Sequence, residues 1–165
     1  MIDIKDLEIL AKDKKEENFY FRLYLKKNAD ELKLDKQFKR LHYKYFNIYD
    51  CKKCRNCCKK LSTIMDKEEL DTICNYLNID KDKYIKDYLI INEEGDYSFK
   101  DHNCKFLDKC NNCMVEEYLP VCCMEYPFTN CDEMLYRLIN VVYNASICPV
   151  VYEILEDLKK IYNFK

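Results

Sequence analysis

Four cysteines lie within eight residues in the stretch CKKCRNCC, which begins at Cys51. Cys51, Cys54 and Cys57 are three residues apart, so a loop or a helical turn can present their thiols together. This C-x2-C-x2-C run is the core of bacterial-type [4Fe–4S] sites, which a remote cysteine, often followed by proline, completes. Cys148 precedes a proline and supplies such a residue. The match is partial, because Cys58 follows Cys57 directly and no cysteine follows after a three-residue gap.

Zinc is the alternative metal. The C-x2-C pairs Cys51/Cys54 and Cys110/Cys113 could form a tetrahedral site of four thiolates, although the gap between them exceeds the usual spacing. Soft thiolates suit both zinc and iron–sulfur centres, so the ligand type does not separate the two.

Two pairs of cysteines are neighbours in the sequence, at 57–58 and at 122–123. Neighbouring side chains diverge along a helix or a strand, so we expect the members of each pair not to serve the same metal ion. The pairs therefore predict two metal sites, or one site with additional thiols.

Composition excludes several classes of protein. The chain of 165 residues has 12 cysteines but a single glycine, Gly95, so it lacks the glycine-rich loops that cradle nucleotide phosphates. The net charge is −2 with no basic block, which argues against nucleic acid as a partner. The acidic start MIDIKDLEIL does not have the pattern of a signal peptide, and no apolar run is long enough for a membrane helix. We therefore expect a cytoplasmic protein, in which clustered thiols bind metal more often than they form disulfides.

The sequence predicts a mainly helical α+β fold. Residues 1 to about 46 have helical spacing, Asp66 with Glu69 predicts a capping box, and Asp80 predicts a helix N-cap. Gly95 predicts a turn between two extended segments, YRLINVVYN has the composition of a strand, and VVYEILEDLKKIY predicts a C-terminal helix. We expect one small domain with helices and a short β segment around a cysteine-rich metal-binding core. Its regions are an N-terminal helical region at 1–47, the core at 48–152 and a C-terminal helix at 153–165.

Three motifs in their order resemble the CxxCxxCC cysteine-cluster family, also called YkgJ-like and described as a zinc- or iron-chelating domain. They are CKKCRNCC, CKFLDKCNNCMVEEYLPVCCMEYPF and ICP, within about residues 48 to 152. The resemblance implies eight metal- and cofactor-binding residues, which are Cys51, Cys54, Cys57, Cys58, Cys104, Cys113, Cys123 and Cys148.

Two positions depart from the family pattern. Leu119 stands where the family usually has arginine before proline, and Met124 stands where an arginine commonly follows the cysteine. Both departures remove positive charge, so an anion-holding role of those arginines does not carry over. Cys110 and Cys122 lie outside the pattern but are close enough in sequence to substitute as ligands.

By analogy with ferredoxins, Cys51, Cys54, Cys57 and Cys148 would hold one [4Fe–4S] cluster, and Cys58, Cys104, Cys113 and Cys123 a second. The expected function is an iron–sulfur protein in electron transfer or an accessory in metallocentre assembly, working with a protein partner or a larger complex. The alternatives are a zinc-binding structural or interaction module and, through some members of the family, a protein similar to flagellin lysine N-methylases. The sequence contains no recognisable catalytic constellation.

Overall fold

The computed structural model describes residues 2–101 and 103–164. Within them the chain forms ten α-helices, three short strands and one 310 helix, so the predicted mainly helical α+β class is confirmed. In chain order, helices α1 to α10 span Ile4–Asp13, Lys15–Asn28, Glu31–Phe46, Cys51–Cys54, Asn56–Lys60, Lys67–Leu77, Lys81–Tyr88, Val121–Glu125, Met134–Asn144 and Pro149–Ile161. Strands β1 to β3 span Ile64–Met65, Leu89–Ile91 and Tyr97–Phe99, and the 310 helix spans Glu116–Tyr118. No helix in this described part is long and apolar enough to cross a membrane.

The chain divides into two compact units. The first unit contains residues 1–54 and 127–165, and the second contains Arg55–Tyr126. These bounds differ from the three regions expected at 1–47, 48–152 and 153–165. Helix α10 begins at Pro149, as the segment VVYEILEDLKKIY after Cys148-Pro149 predicts, and therefore before the region boundary expected at residue 153.

The first unit is a bundle of helices. Helix α3 packs against α10 and α9, α2 packs against α9, and α1 packs against α10 and α2. Each long helix buries residues three or four positions apart, because this spacing places side chains on one face. The buried face of α3 carries Leu34, Phe38 and Leu41, and that of α10 carries Ile154 and Leu158.

The segment YRLINVVYN belongs to α9, so its prediction as a strand is wrong. Its β-branched and aromatic residues favour strands by composition. However, Met134, Leu138 and Val141 are buried at helical spacing, and burial of this face outweighs the propensity. The carboxylate of Asp35 in α3 also accepts hydrogen bonds from the backbone N–H groups of Glu133 at 3.0 Å and Met134 at 2.9 Å. A side chain from another helix therefore caps the start of α9.

A buried lysine adds an ionic cluster to the first unit. Lys159 is 4% exposed, and its ammonium group pairs with Glu17 at 2.7 Å and with Glu156 at 2.6 Å. Since both carboxylates reach the same ammonium, the charge of Lys159 is compensated where water has little access.

The second unit combines the four α-helices α5 to α8 and the 310 helix with a small antiparallel sheet of order β1-β3-β2. The capping box of Asp66 and Glu69 at the start of α6 and the cap of Asp80 on α7 are confirmed. Gly95 lies between β2 and β3 with φ at +91°, so the predicted turn is confirmed as well. The core contains few large residues, and they are Met65, Leu70, Ile73, Cys74, Leu89, Phe99, Phe106 and Val115. Cys74 is thus a buried small apolar residue, as its helical position predicts.

Candidate metal centre

Three of the eight predicted ligands belong to the first unit. Cys51 and Cys54 begin and end the short helix α4, and Cys148 is the N-cap residue of α10, with Pro149 as its first helical residue. Burial raises the pKa of the Cys148 thiol to about 12. Negative charge on Cys51 and Cys54 also raises this pKa, whereas hydrogen bonds from the backbone N–H groups of Val151 and Val150 lower it. The three thiols are therefore close enough to interact electrostatically.

The other five predicted ligands belong to the second unit, where α5 carries Cys57 and Cys58. Their sulfur atoms lie 4.0 Å apart, so the expectation that neighbouring cysteines diverge is wrong for this pair. The hydrogen bond with the Cys57 thiol lowers the pKa of Cys58 to about 6; burial opposes this shift, and the charge of Arg55 supports it. Cys58 is thus biased toward the thiolate, the form that binds metals.

Cys104 and Cys113 lie on the loop after β3. The backbone N–H of Cys104 donates to the carbonyl of Cys58 at 3.0 Å, which joins this loop to α5. Cys113 forms an isolated β-bridge with Leu107, and the turn between them is held by the carboxylate of Asp108. Burial raises the pKa of both thiols, and each interacts electrostatically with Cys58.

Cys122 and Cys123 lie on α8, and their sulfur atoms are 3.9 Å apart. The expectation of divergence is therefore wrong for the second pair too. The thiol of Cys122 donates to the carbonyl of Ile64 at 3.0 Å, and Glu69 accepts a hydrogen bond from the N–H of Val121 at 2.7 Å. These bonds hold α8 beside β1 and α6. The hydrogen bond with Cys122 raises the pKa of Cys123, burial raises it further, and Cys104 adds to the same shift.

Sequence reasoning missed two residues at this cluster. Thr63 is 6% exposed, and its hydroxyl lies 3.8 Å from the sulfur of Cys104 and 3.9 Å from that of Cys123. Nothing in the sequence singles it out. Arg55 has a side chain that is 12% exposed, and its guanidinium pairs with Glu116 at 3.7 Å. The position of Arg55 between two cysteines of the CKKCRNCC run was the feature of the sequence that could have identified it.

Arg55 places a positive charge near the thiols. Its charge lowers the pKa of both Cys58 and Cys113, and its Nε is buried without a hydrogen-bond partner. The backbone of Arg55 has φ at +48°, a left-handed conformation that is uncommon for arginine and precedes α5. Thiolates in this cluster would therefore lie beside a cation, although the two arginines of the family pattern are absent.

The remaining cysteines and histidines are spread over both units. Cys110 is exposed on the turn before Cys113, and Cys131 is partly buried in the first unit. His42 is also in the first unit, where its ring lies 2.9 Å from the hydroxyl of Thr129 and stacks on Phe46. His102, a possible ligand by its closeness to Cys104 in sequence, lies outside the described residues.

The donor set has the chemistry of a site for a thiophilic metal. None of the twelve cysteines, all of them within the described residues, forms a disulfide. Among those residues, no three Cys, His, Asp or Glu side chains are arranged so that they could hold one metal ion. Cys58, Cys104, Cys113 and Cys123 nevertheless share one neighbourhood of the second unit, linked by the contacts described above. Cys57 belongs to a different unit from Cys51, Cys54 and Cys148, and the predicted division into two clusters stays a prediction.

Comparisons with known proteins found no family model, no curated protein and no solved structure that matches this chain. The resemblance to the cysteine-cluster family therefore stays a prediction that rests on the motifs.

Proposed function

We propose that this chain is an iron–sulfur protein whose second unit binds a cluster through Cys58, Cys104, Cys113 and Cys123. One observation carries the proposal. Four thiols from α5, from two separate points of the loop after β3 and from α8 come into one neighbourhood of the second unit. Four thiols from separate segments in one neighbourhood have the residue types of a thiophilic site, since thiolates select zinc, copper(I) and iron–sulfur clusters.

The preference for iron over zinc comes from the C-x2-C-x2-C run and the remote Cys148 before proline, which supply the ligands of the other predicted cluster and none of these four thiols. In addition, Thr63 contacts the sulfur atoms of both Cys104 and Cys123, at 3.8 and 3.9 Å. Hydrogen bonds to the sulfurs are among the features by which proteins set the potential of an iron–sulfur centre. When bound, such a centre supplies one-electron chemistry or iron and sulfide for transfer. The residues of the chain bind it, and Arg55 offsets the negative charge of the thiolates.

The physiological role that we propose is electron transfer or assistance in metallocentre assembly, with a protein as partner and with neither nucleic acid nor a membrane as a binding surface. The first-unit thiols Cys51, Cys54 and Cys148 are candidates for a further centre. The lysine N-methylase alternative and the cytoplasmic location stay predictions.

A zinc-binding structural module is the second candidate, and the neighbouring cysteines favour it. Four thiolates on a tetrahedral zinc ion at a bond length of about 2.3 Å lie about 3.8 Å from one another. The sulfurs of Cys57 and Cys58 are 4.0 Å apart, and those of Cys122 and Cys123 are 3.9 Å apart. Each pair therefore already has the separation of two ligands on one ion.

Metal analysis of protein purified without oxygen tests the proposal. We expect iron and acid-labile sulfide in equal amounts, with broad visible absorbance. Cys104→Ser should lose most of the absorbance and iron because it removes a ligand. Cys131→Ser, outside the motifs and in the other unit, should keep both. Stoichiometric zinc without sulfide would decide for the zinc module, and protein without either metal after reconstitution would reject both candidates.

A further inference from the structure

Thr63 occupies a central position among the thiols of the second unit. It is 6% exposed, and its hydroxyl donates to the sulfur of Cys104 at 3.8 Å while the thiol of Cys123 donates to the hydroxyl at 3.9 Å. The two cysteines come from segments far apart in sequence. One buried hydroxyl therefore contacts two of the four sulfur atoms proposed to bind the metal.

The backbone around Thr63 fixes the position of this hydroxyl. Thr63 directly precedes β1, which pairs with β3, and the hydroxyl of Ser62 donates to the carbonyl of Phe99 at 3.2 Å. These bonds hold the backbone on both sides of Thr63, and a β-branched, buried side chain has few χ1 rotamers in which to turn away from the sulfur atoms.

Metal binding changes the hydrogen bonds that the hydroxyl of Thr63 can form. Ligating cysteines are thiolates, which accept hydrogen bonds and donate none. Cys123 then no longer donates to Thr63, and the one hydroxyl hydrogen is available to a negatively charged sulfur. A buried thiolate without a donor is costly, and outer groups that bond to ligands commonly change metal affinity 10- to 100-fold.

We infer that Thr63 is a positioning residue of the metal centre, whose hydroxyl donates to a ligating sulfur of Cys104 or Cys123 and thereby strengthens metal binding. This inference rests on the proposed function, but it does not depend on whether iron or zinc is the native metal. Thr63 would thus act on the four ligands without binding the metal itself.

Titration of the full metal-depleted chain with Co²⁺, without oxygen, tests the inference. Cobalt bound to thiolates gives a sulfur-to-metal charge-transfer band, so both affinity and band energy are measured. We expect Thr63→Val, which keeps the shape but removes the donor, to bind Co²⁺ about 10-fold more weakly with a shifted band. Thr63→Ser keeps the hydroxyl and should restore both values. Thr72→Val removes an exposed hydroxyl that bonds the carbonyl of Glu68 in α6, and it should match the wild type.

Several outcomes would overturn the inference. Equal affinity and an equal band for wild type and Thr63→Val would show that the hydroxyl does not act on the sulfurs. A loss in Thr63→Ser as large as that in Thr63→Val would show that the hydroxyl alone does not restore binding, and it would overturn the assignment of the effect to the hydroxyl. If Thr63→Val does not fold, as judged by circular dichroism, Thr63→Ala makes the same comparison with Thr63→Ser. A wild type without a cobalt–thiolate band rejects the proposed function and this inference together, whereas a band unaffected by Thr63→Val rejects the inference alone.

Discussion

The first unit buries the long apolar faces of several helices, whereas the second unit has a smaller buried core with partly buried thiols around it. In the first unit, Phe21, Leu34 and Phe38 are fully buried together with residues from α9 and α10. The core of the second unit contains eight buried residues, one of them a cysteine, and Cys104 and Cys113 pack against it. A small unit buries a smaller fraction of its surface than a large one, so a cross-link adds relatively more to its stability. If the proposed metal binds, we therefore expect it to stabilise the second unit far more than the first.

The buried polar groups differ in the same way. In the first unit the ammonium of Lys159 has two carboxylate partners, and Asp35 accepts two backbone N–H groups. In the second unit thiols contact one another and the hydroxyl of Thr63, and the thiol of Cys122 also donates to the carbonyl of Ile64. Sulfur is a weak donor and a weak acceptor, so these contacts satisfy the thiols poorly. A bound metal would replace them with strong bonds.

Metal removal should have the largest effect and should separate the two units. After anaerobic treatment with a chelator, we expect amide hydrogen exchange to accelerate on the order of 100-fold or more in Arg55–Tyr126, because metal binding contributes folding free energy. Peptides from α3 and α10 should change much less. Exchange measured by mass spectrometry reports both units in one sample, and re-addition of metal should restore protection. Equal acceleration in the two units, or none in the second, would contradict the comparison.

A core substitution in the first unit should have the next largest effect, independent of metal. Leu34 is fully buried and Leu32, on the same helix, is 72% exposed. Leu34→Ala should lower the free energy of unfolding by about 2–5 kcal/mol because it leaves a cavity. Leu32→Ala should change it by less than about 0.5 kcal/mol. Urea unfolding followed by circular dichroism measures both, and the metal content should equal that of the wild type in each variant. Loss of metal from Leu34→Ala would show that the first-unit core also supports the metal centre.

The sequence predicted those parts of the fold that local signals determine. Helices α6 and α7 have the caps expected from Asp66 and Asp80, and Gly95 occupies the expected turn. The prediction of a strand for the segment of α9 is wrong because the conformation of this segment depends on residues distant in the sequence. Its buried face packs against other helices and Asp35 of α3 caps its start, and neither contact can be read from the segment itself.

The candidate site was predictable in residue type but not in arrangement. The resemblance to the cysteine-cluster family and the analogy with ferredoxins grouped Cys58, Cys104, Cys113 and Cys123, and all four lie in the second unit. The spacing could not reveal Thr63, because a lone threonine carries no signal until the fold places it against sulfur. It also misjudged the neighbouring cysteines, since the side-chain rotamers allow adjacent sulfurs to lie 4.0 Å apart on α5 although their Cβ atoms point in different directions.

Loss of a carboxylate in the first unit should have the smallest effect, which is present near neutral pH and disappears in acid. Burial acts to raise the pKa of Asp157, but hydrogen bonds from Lys44 at 2.6 Å and Tyr45 at 2.6 Å, with a further one from Lys160, hold it at about 2. Because this pKa lies below the ordinary value of 3.8, ionised Asp157 stabilises the fold above about pH 4, and this contribution is lost as the pH falls toward 2.

Asp157→Asn should therefore lower the free energy of unfolding at pH 6 by on the order of 1 kcal/mol, a value discounted because Lys44 is half exposed. The difference from wild type should shrink steadily between pH 4 and pH 2, as measured by urea unfolding of helical signal. In a Lys44→Met, Tyr45→Phe background the main partners that lower the pKa are gone and burial, which raises it, remains, so ionised Asp157 should no longer stabilise the fold above pH 4. A constant difference from pH 6 to pH 2 would assign the cost to lost packing rather than to ionisation. A large difference, comparable to that of Leu34→Ala, would mean that ionic contacts contribute to the first unit as much as its apolar core does.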